Sequence, residues 1–401
     1  MKNLKEDLCS KRLEAAKKKT TPPWTMDDLD KVLKGLKKNK SRDPYGYANE
    51  IFLPDVAGED LKLAILKLMN RIRFDQVYPE ALELYDISSI WKRKLSRYDF
   101  DNYRGIFRVT ILRSILDRLI YNDEYPTIDS NLTDANVGAR KGRNIRDNIF
   151  VLNAVTNSIV KGKEEPIDVQ VFDIEKCFDA LWMQECINDL YEAGLDNDKL
   201  PLLYLENRNA KVAVKTPNGL SERIDIHNVV MQGSVWGSIM CTTTMDKLGQ
   251  VAYENPELLY MYKGVVAVPP ICMVDDILSL QKCSESSKIN AVINAFVELK
   301  KLTLSFTKCN RIHIGKKVGS CPDLKVHDAQ MNDSNQEKYL GDLVNKTGNI
   351  KATVADRVAK GHGIVSEIKA ILNEVPLGKY KLEMGLQLRQ AMLLNGLLYN
   401  S

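Results

Sequence analysis

Histidine is scarce, with four residues in 401, and the eight cysteines form no C-x-x-C pair and no Cys/His cluster along the sequence. Neither a zinc site nor a disulfide framework is therefore indicated, and a reduced intracellular setting fits. No apolar run approaches the roughly 18 residues that a membrane span needs. The N-terminus, MKNLKEDLCSKRLEAAKKK, is charged throughout, so secretory and membrane readings fall away. Internal repeats and low-complexity tracts are missing as well. Net charge is small, +4 from 57 Lys and Arg against 53 Asp and Glu, and by itself it says little about partners. What the chain does have is apolar material: 44% of its residues are hydrophobic. That suffices for a large globular core and excludes a disordered tail or a stapled miniprotein.

The charge is unevenly distributed. From Met1 to Asp43 there are 13 basic and 7 acidic side chains, and from Lys92 to Arg146 there are 12 and 7. In the second stretch Tyr98, Phe100, Tyr103 and Phe107 alternate with the cations, a pattern suited to a phosphate backbone with its bases and sugars. VGARKGRNIRDNIFVL sets Gly138 and Gly142 among Arg140, Lys141, Arg143 and Arg146, which describes a phosphate-gripping loop.

Periodicity gives a coarse element order. Residues 1 to 20 read as a Lys-rich helix stopped at Thr21 to Pro23, and Thr25 caps a second helix with Leu29, Val32 and Leu33 on one face. A helix at Leu61 to Ile72, a strand at Tyr85 to Trp91 and a helix face from Val109 to Ile120 follow. The tail predicts helices at Ile364 to Leu372 and Lys381 to Leu398, and the ending reads as a truncation.

The acids carry the chemistry. IDVQVFDIEKCFDALW begins as a strand and ends on Asp173, before a helix starting near Trp182. A carboxylate there needs neutralising, or else serves as the cap of the next helix. In PPICMVDDILSLQ the pattern predicts a hairpin whose tight turn consists of Asp275 and Asp276. Adjacent acids repel, and a turn chosen for geometry would prefer Asn-Gly or Asp-Gly, whereas bound cations would remove the repulsion. Oxygen ligands from two strands favour Mg²⁺ or Mn²⁺ over zinc. Two such ions about 3.5 to 4 Å apart are the arrangement for phosphoryl transfer. With basic surfaces nearby, the substrates should be a nucleoside triphosphate and a nucleic acid.

These residues resemble the reverse transcriptases of non-LTR (LINE-type) retrotransposons over roughly Lys31 to Leu343. VFDIEKCFDALW looks like polymerase motif A, VVMQGSVWGSIM like motif B, ICMVDDILSL like motif C and LSFTKCNRIHIGK like motif D. SRDPYGYANEIF, DNYRGIF and NVGARKGRNIRDN match the finger segments in order, and KYLGDLV resembles the passage from palm to thumb. The resemblance implies an α+β right-hand polymerase fold with fingers, an antiparallel-sheet palm and a partial helical thumb. On that reading residues 1–165 are a helical extension and fingers, 166–345 the palm with a fingers insertion near 207–230, and 346–401 the partial thumb.

The resemblance also implies roles. Asp173, Asp275 and Asp276 would be the metal-binding triad holding two Mg²⁺ ions, with Mn²⁺ as the alternative. Phe178 would be the steric gate against a 2′-hydroxyl, and Arg104 would hold the triphosphate with Lys92 or Lys94, Lys94 being preferred. Gln232 and Gly233 would line the nucleotide and template pocket, and Lys308 would serve as a general acid near the pyrophosphate. Asp179 would be structural, while Arg140, Lys141 and Arg143 would grip template or primer phosphates. The expected activity is RNA-directed DNA polymerisation with an RNA template, a DNA primer and dNTPs, in a cytoplasmic ribonucleoprotein and the nucleus. The endonuclease for insertion is expected on a flanking region. Met273-Val274 departs from the family's aromatic-Ala pair, Met231 and Ser238 stand where prolines are common, and Leu95 where glycine is. These departures leave a decayed or domesticated nucleic-acid-binding copy as the alternative. A maturase like those of group II introns would need a further helical domain after Ser401.

Overall fold

The computed structural model describes residue 10 and residues 22–394, apart from 93–95, 197, 209, 217, 227, 229, 317–321, 348–350 and 377. The helix expected over residues 1–20 therefore lies outside the described residues except at residue 10, and Lys94 and Leu95 lie outside them too.

Local signals start most elements where expected. Helix α1 (Met26–Lys34) opens on a capping box in which Thr25 accepts from the Asp28 N–H and Asp28 accepts from the Thr25 N–H, and it buries Leu29, Val32 and Leu33. Helix α2 (Glu59–Asp75) and strand β1 (Leu84–Trp91) slightly exceed the spans predicted for them. Strand β2 (Tyr103–Arg108) runs antiparallel to β1, and the Thr110 hydroxyl caps α3 (Ile111–Asn131). Asn144 and Asp147 form a second capping box at α4 (Ile145–Val160), which leads to β3 (Ile167–Phe172). The helix expected near Trp182 is α6 (Met183–Glu192), preceded by the short α5 (Cys177–Ala180), whose four residues are too few to show a period. Then come α7 (Leu200–Arg208), β4 (Ala210–Thr216), α8 (Val235–Glu254), β5 (Ile271–Met273), β6 (Asp276–Lys282) and α9 (Ser286–Leu299). After β7 (Asn310–Ile314) and β8 (Asn332–Asp333) come α10 (Lys351–Asn373) and α11 (Lys379–Leu388). Where the sequence predicted one helix to Leu398, α11 gives way to a π-helical turn over Arg389–Leu394. Among the described residues no helix is long and apolar enough to cross a membrane.

The chain divides into two units. The first comprises 1–141, 175–247 and 298–303, and the second 142–174, 248–297 and 304–401. In the first unit the sheet order is β2, β1, β4, with β1 and β4 parallel and two short strands hydrogen-bonded to β4. Tyr85, Ala210, Val212 and Met231 form a core beneath it. Gly237 in α8 packs so tightly that a Cβ would fall 2.1 Å from the Met231 carbonyl oxygen, so only glycine fits there.

In the second unit the order is β8, β7, β3, β6, β5, with β3 flanked on both sides and all six of its residues buried. One face of β3, Ile167, Val169 and Val171, joins a core with Ile149, Leu152, Val155 and Ile159 of α4 and with Leu278, Leu280, Ile312 and Ile314 from the neighbouring strands. Each such side chain contributes roughly 1.5–3 kcal/mol on burial. The other face carries Asp168 and Gln170 beside Phe172 and is fully enclosed. Gln170 donates to the Ser286 carbonyl at 2.9 Å and accepts from Asn290 at 3.1 Å, so its amide is satisfied by α9. The antiparallel ladder aligns Ile277 with Phe172 and Leu278 with Val171.

Candidate active site

Asp173 follows β3 directly, and its surroundings are built from the backbone outward. Its carbonyl accepts from the Ser305 N–H at 2.8 Å, and Ile174 bridges to Leu304, so the segment after α9 is fastened to the end of β3. A turn then brings the Lys308 N–H to the Ser305 carbonyl, and Lys308 Nζ donates to Asp173 Oδ2 at 2.8 Å. The capping role considered for Asp173 is not what the fold uses. Lys176, in the left-handed region at φ +46°, occupies the cap position of α5, and no side chain caps that helix.

The hairpin corrects a second expectation. Met273 pairs with Asp276, so the two-residue turn consists of Val274 and Asp275 and not of the two acids. Val274 adopts φ +62°. This is the position where a type II′ hairpin normally carries glycine, and a β-branched residue there stores roughly 1–2 kcal/mol of strain. The ladder between the two strands ends on the Ile277 and Phe172 pair, and Asp276 and Asp173 each follow one residue beyond it. Asp275 sits in the adjoining turn.

The electrostatics reflect this crowding. Desolvation pushes the Asp275 carboxyl above its ordinary range, and the Asp173 charge adds to the rise. The Asp276 carboxyl is pushed up to about 6, first by desolvation and then by the charges of Asp275 and Asp173, with Lys308 opposing. Asp276 is exposed by surface area, so solvent screens part of that effect. Three carboxylates beside one ammonium leave excess negative charge on a set of oxygen donors, and such a set fits hard divalent cations.

The other residues singled out lie mainly in the first unit. Arg104 is exposed on β2, opposite Ile90 in register. Lys92 donates to the Asp101 carbonyl at 2.8 Å, and Lys176 pairs with the Asp101 carboxylate at 2.8 Å, a link the sequence reading missed because its partners lie 75 positions apart. Phe178 is half-buried on α5, and Asp179 beside it is exposed. The Gln232 carbonyl accepts from the Phe107 N–H at 3.0 Å. Gly233 has φ +111°, and a Cβ there would stand 3.1 Å from the Phe107 carbonyl oxygen. The close backbone approach expected at Gly233 is thus made by β2 itself. Arg140 turns inward: it pairs with Asp129 at 2.8 Å and donates to the carbonyls of Thr133, Asn136 and Asp129. Its guanidinium holds the loop together in place of the solvent-facing phosphate contact expected of it. Exposed Lys141 lies over the rings of Tyr121 and Tyr125. Arg143, in the second unit, is exposed.

The family profile of reverse transcriptase (RNA-dependent DNA polymerase) matches residues 92–342, more than half of the chain and the whole run from β2 through β8. The chain belongs to the reverse transcriptase family. Reverse transcriptases as a family are RNA-directed DNA polymerases of the nucleotidyltransferase class. With membership comes the right-hand polymerase fold, which the helices and antiparallel sheet described above fit as an α+β protein. Among solved structures, this reverse transcriptase is similar to an apo telomerase from Candida tropicalis truncated from its C-terminal domain. The identity is 15% and the TM-score 0.45, over 68% of this chain and 55% of that one, so the chain spans little more than half the length of that relative. No curated protein sequence matches the chain.

Proposed function

We propose that the chain is the reverse transcriptase of a non-LTR retrotransposon and extends a DNA primer on an RNA template by two-metal phosphoryl transfer, with the unit-two sheet as its palm. The observation that carries this reading is the meeting of Asp173, Asp275 and Asp276 at one end of β3, where desolvation and the neighbouring charges push the Asp275 and Asp276 carboxyls up. Two bound Mg²⁺ ions would activate the primer 3′-hydroxyl and stabilise charge on the departing pyrophosphate. Asp173 and Asp276, each one residue beyond the last pair of the ladder, would hold the cations, and Asp275 would complete the set.

Lys308 orients the Asp173 carboxyl through its 2.8 Å hydrogen bond. Released from that bond, its ammonium is a proton source for the leaving oxygen. Support for the triphosphate grip comes from exposed Arg104, with Lys92 held on Asp101 nearby in sequence; Phe178, half-buried, serves as the gate, and Gln232 with Gly233 shapes the nucleotide pocket. Lys141 and Arg143 supply phosphate contacts. The residue ranges proposed for fingers, palm and thumb are 1–165, 166–345 and 346–401. The cellular setting is a cytoplasmic ribonucleoprotein that reaches the nucleus, with an endonuclease supplied by a flanking region.

Incubating the purified chain with an RNA template, DNA primer, dNTPs and Mg²⁺ tests the reading. The expected result is template-dependent extension that disappears in the combined Asp275→Asn, Asp276→Asn variant. Salt-sensitive RNA binding without incorporation would instead make the chain a domesticated binding protein.

A further inference from the structure

The end of β3 opposite the triad carries a second cluster that the sequence spacing conceals. Asp168, Cys283 and His313 are separated by 115 and 30 positions, yet their Oδ1, Sγ and Nδ1 atoms converge. Cys283 Sγ lies 3.0 Å from His313 Nδ1 and 3.4 Å from Asp168 Oδ1, and Nδ1 lies 3.1 Å from Oδ1. His313 and Asp168 are register partners on β7 and β3, and Cys283 follows the end of β6 directly.

From this geometry we infer that Asp168, Cys283 and His313 form a binding site for a zinc-type transition metal, separate from the acids at Asp173.

Three points carry the inference. A neutral imidazole nitrogen has at most one hydrogen, which cannot serve both a sulfur at 3.0 Å and an oxygen at 3.1 Å well, whereas a single shared cation serves all three donors at once. Tetrahedral zinc, with bonds of about 2.0–2.2 Å to N and O and about 2.3 Å to S, places its ligand atoms about 3.3–3.6 Å apart. The observed triangle reaches those separations with shifts of a few tenths of an ångström. The mixture of thiolate, imidazole and carboxylate also suits zinc and cobalt better than magnesium, which takes oxygen ligands.

The surroundings fit a metal centre as well. Asp168 is fully buried, and Ser286 Oγ donates to its Oδ2 at 2.7 Å, which orients the carboxylate and leaves Oδ1 facing the other two donors. Ser286 Oγ also lies 3.0 Å from the Cys283 carbonyl, so its one hydrogen is shared between acceptors on two of the three ligand-bearing segments. Cys283 is half-buried and the His313 side chain is 17% exposed, which leaves a route for the ion and a position for water as fourth ligand. Such a metal ties β3, the turn after β6, and β7 together.

Cobalt titration of the full-length, metal-stripped chain tests the site, because thiolate-bound Co²⁺ has a near-ultraviolet charge-transfer band that carboxylate-bound Co²⁺ lacks. The expected result is one equivalent bound with that band, displaced by Zn²⁺ and unaffected by a large excess of Mg²⁺. Cys283→Ala should abolish the band, His313→Gln should weaken binding at least about 100-fold and Ser286→Ala about 10-fold. Asp275→Asn with Asp276→Asn should leave the band unchanged. On the unaltered protein, Zn²⁺ and not Mg²⁺ should protect Cys283 from alkylation, read by peptide mass spectrometry, so the result does not depend on any variant folding. Absence of the band, a band that persists in Cys283→Ala, or alkylation of Cys283 at the same rate with and without Zn²⁺ overturns the inference.

Discussion

The two ends of β3 treat the same residue type in opposite ways. Asp168, at the start of the strand, is wholly buried and meets Ser286, His313 and Cys283 at hydrogen-bonding distance. Asp173, just past the other end, is partly exposed, with Lys308 as its cationic neighbour and two further carboxyls close by. The residues are five positions apart, roughly 17 Å along an extended strand. One end surrounds its carboxyl with a hydroxyl, an imidazole and a thiol, and the other crowds three carboxyls together with a single ammonium beside them. That crowding is what the catalytic proposal rests on.

The comparison breaks most readily in stability. Asp168→Ala strips Ser286 and His313 of a buried charged acceptor and should cost about 3 kcal/mol in urea unfolding, whereas Asp173→Ala, at a partly exposed pair, should change stability by less than about 1 kcal/mol. Equal costs at the two sites would remove the distinction between them.

A pH series sharpens it further. In the metal-free chain the native Asp276 carboxyl holds its proton up to about pH 6, against an ordinary value of 3.8. Its contribution is therefore neutral below about pH 4, and stability falls as pH rises from about 4 to about 6, where the unfolded chain has released this proton and the native state still holds it, the loss being complete above about 6. After allowance for solvent screening, Asp276→Asn should gain about 1 kcal/mol at pH 8 in the presence of a chelator and nothing at pH 4. Mg²⁺ should produce a similar gain in the unaltered chain at pH 8 and none in the variant.

The smallest effect is expected in the hairpin. Val274→Gly relieves the strain at φ +62° while adding chain entropy to the unfolded state, for a net gain of about 0.5 kcal/mol in thermal or urea unfolding. A loss of more than about 1 kcal/mol would mean that the valine side chain matters more for packing than its backbone does for strain.

How much of this could be read beforehand followed the range of the signal. Thr25 and its helix were legible because a capping box and a 3.6 period are local. Asp173, Asp275 and Asp276 were legible because each adjoins a short run of β-formers. The position of the hairpin turn was not, since the pairing of Asp276 with Met273 is set by the ladder to β3 and not by the turn residues themselves. Arg140 misled because its partner Asp129 belongs to the preceding helix, and a run of cations looks solvated until that helix is placed. Asp168, Cys283 and His313 lay beyond any spacing rule, because β-sheet register alone assembles them. Gly237 gave no sign of its importance until the Met231 carbonyl was found against it.

The central claim is that chemistry belongs to the Asp173 end of β3 alone. Single-turnover incorporation of one dNTP onto a DNA primer annealed to RNA, in Mg²⁺, compares Asp173→Asn with Cys283→Ala against the unaltered chain. The account predicts a fall of about 1000-fold or more in Asp173→Asn, from loss of several kcal/mol of charge stabilisation, and a rate within about threefold of normal in Cys283→Ala. Incorporation that survives Asp173→Asn would contradict it.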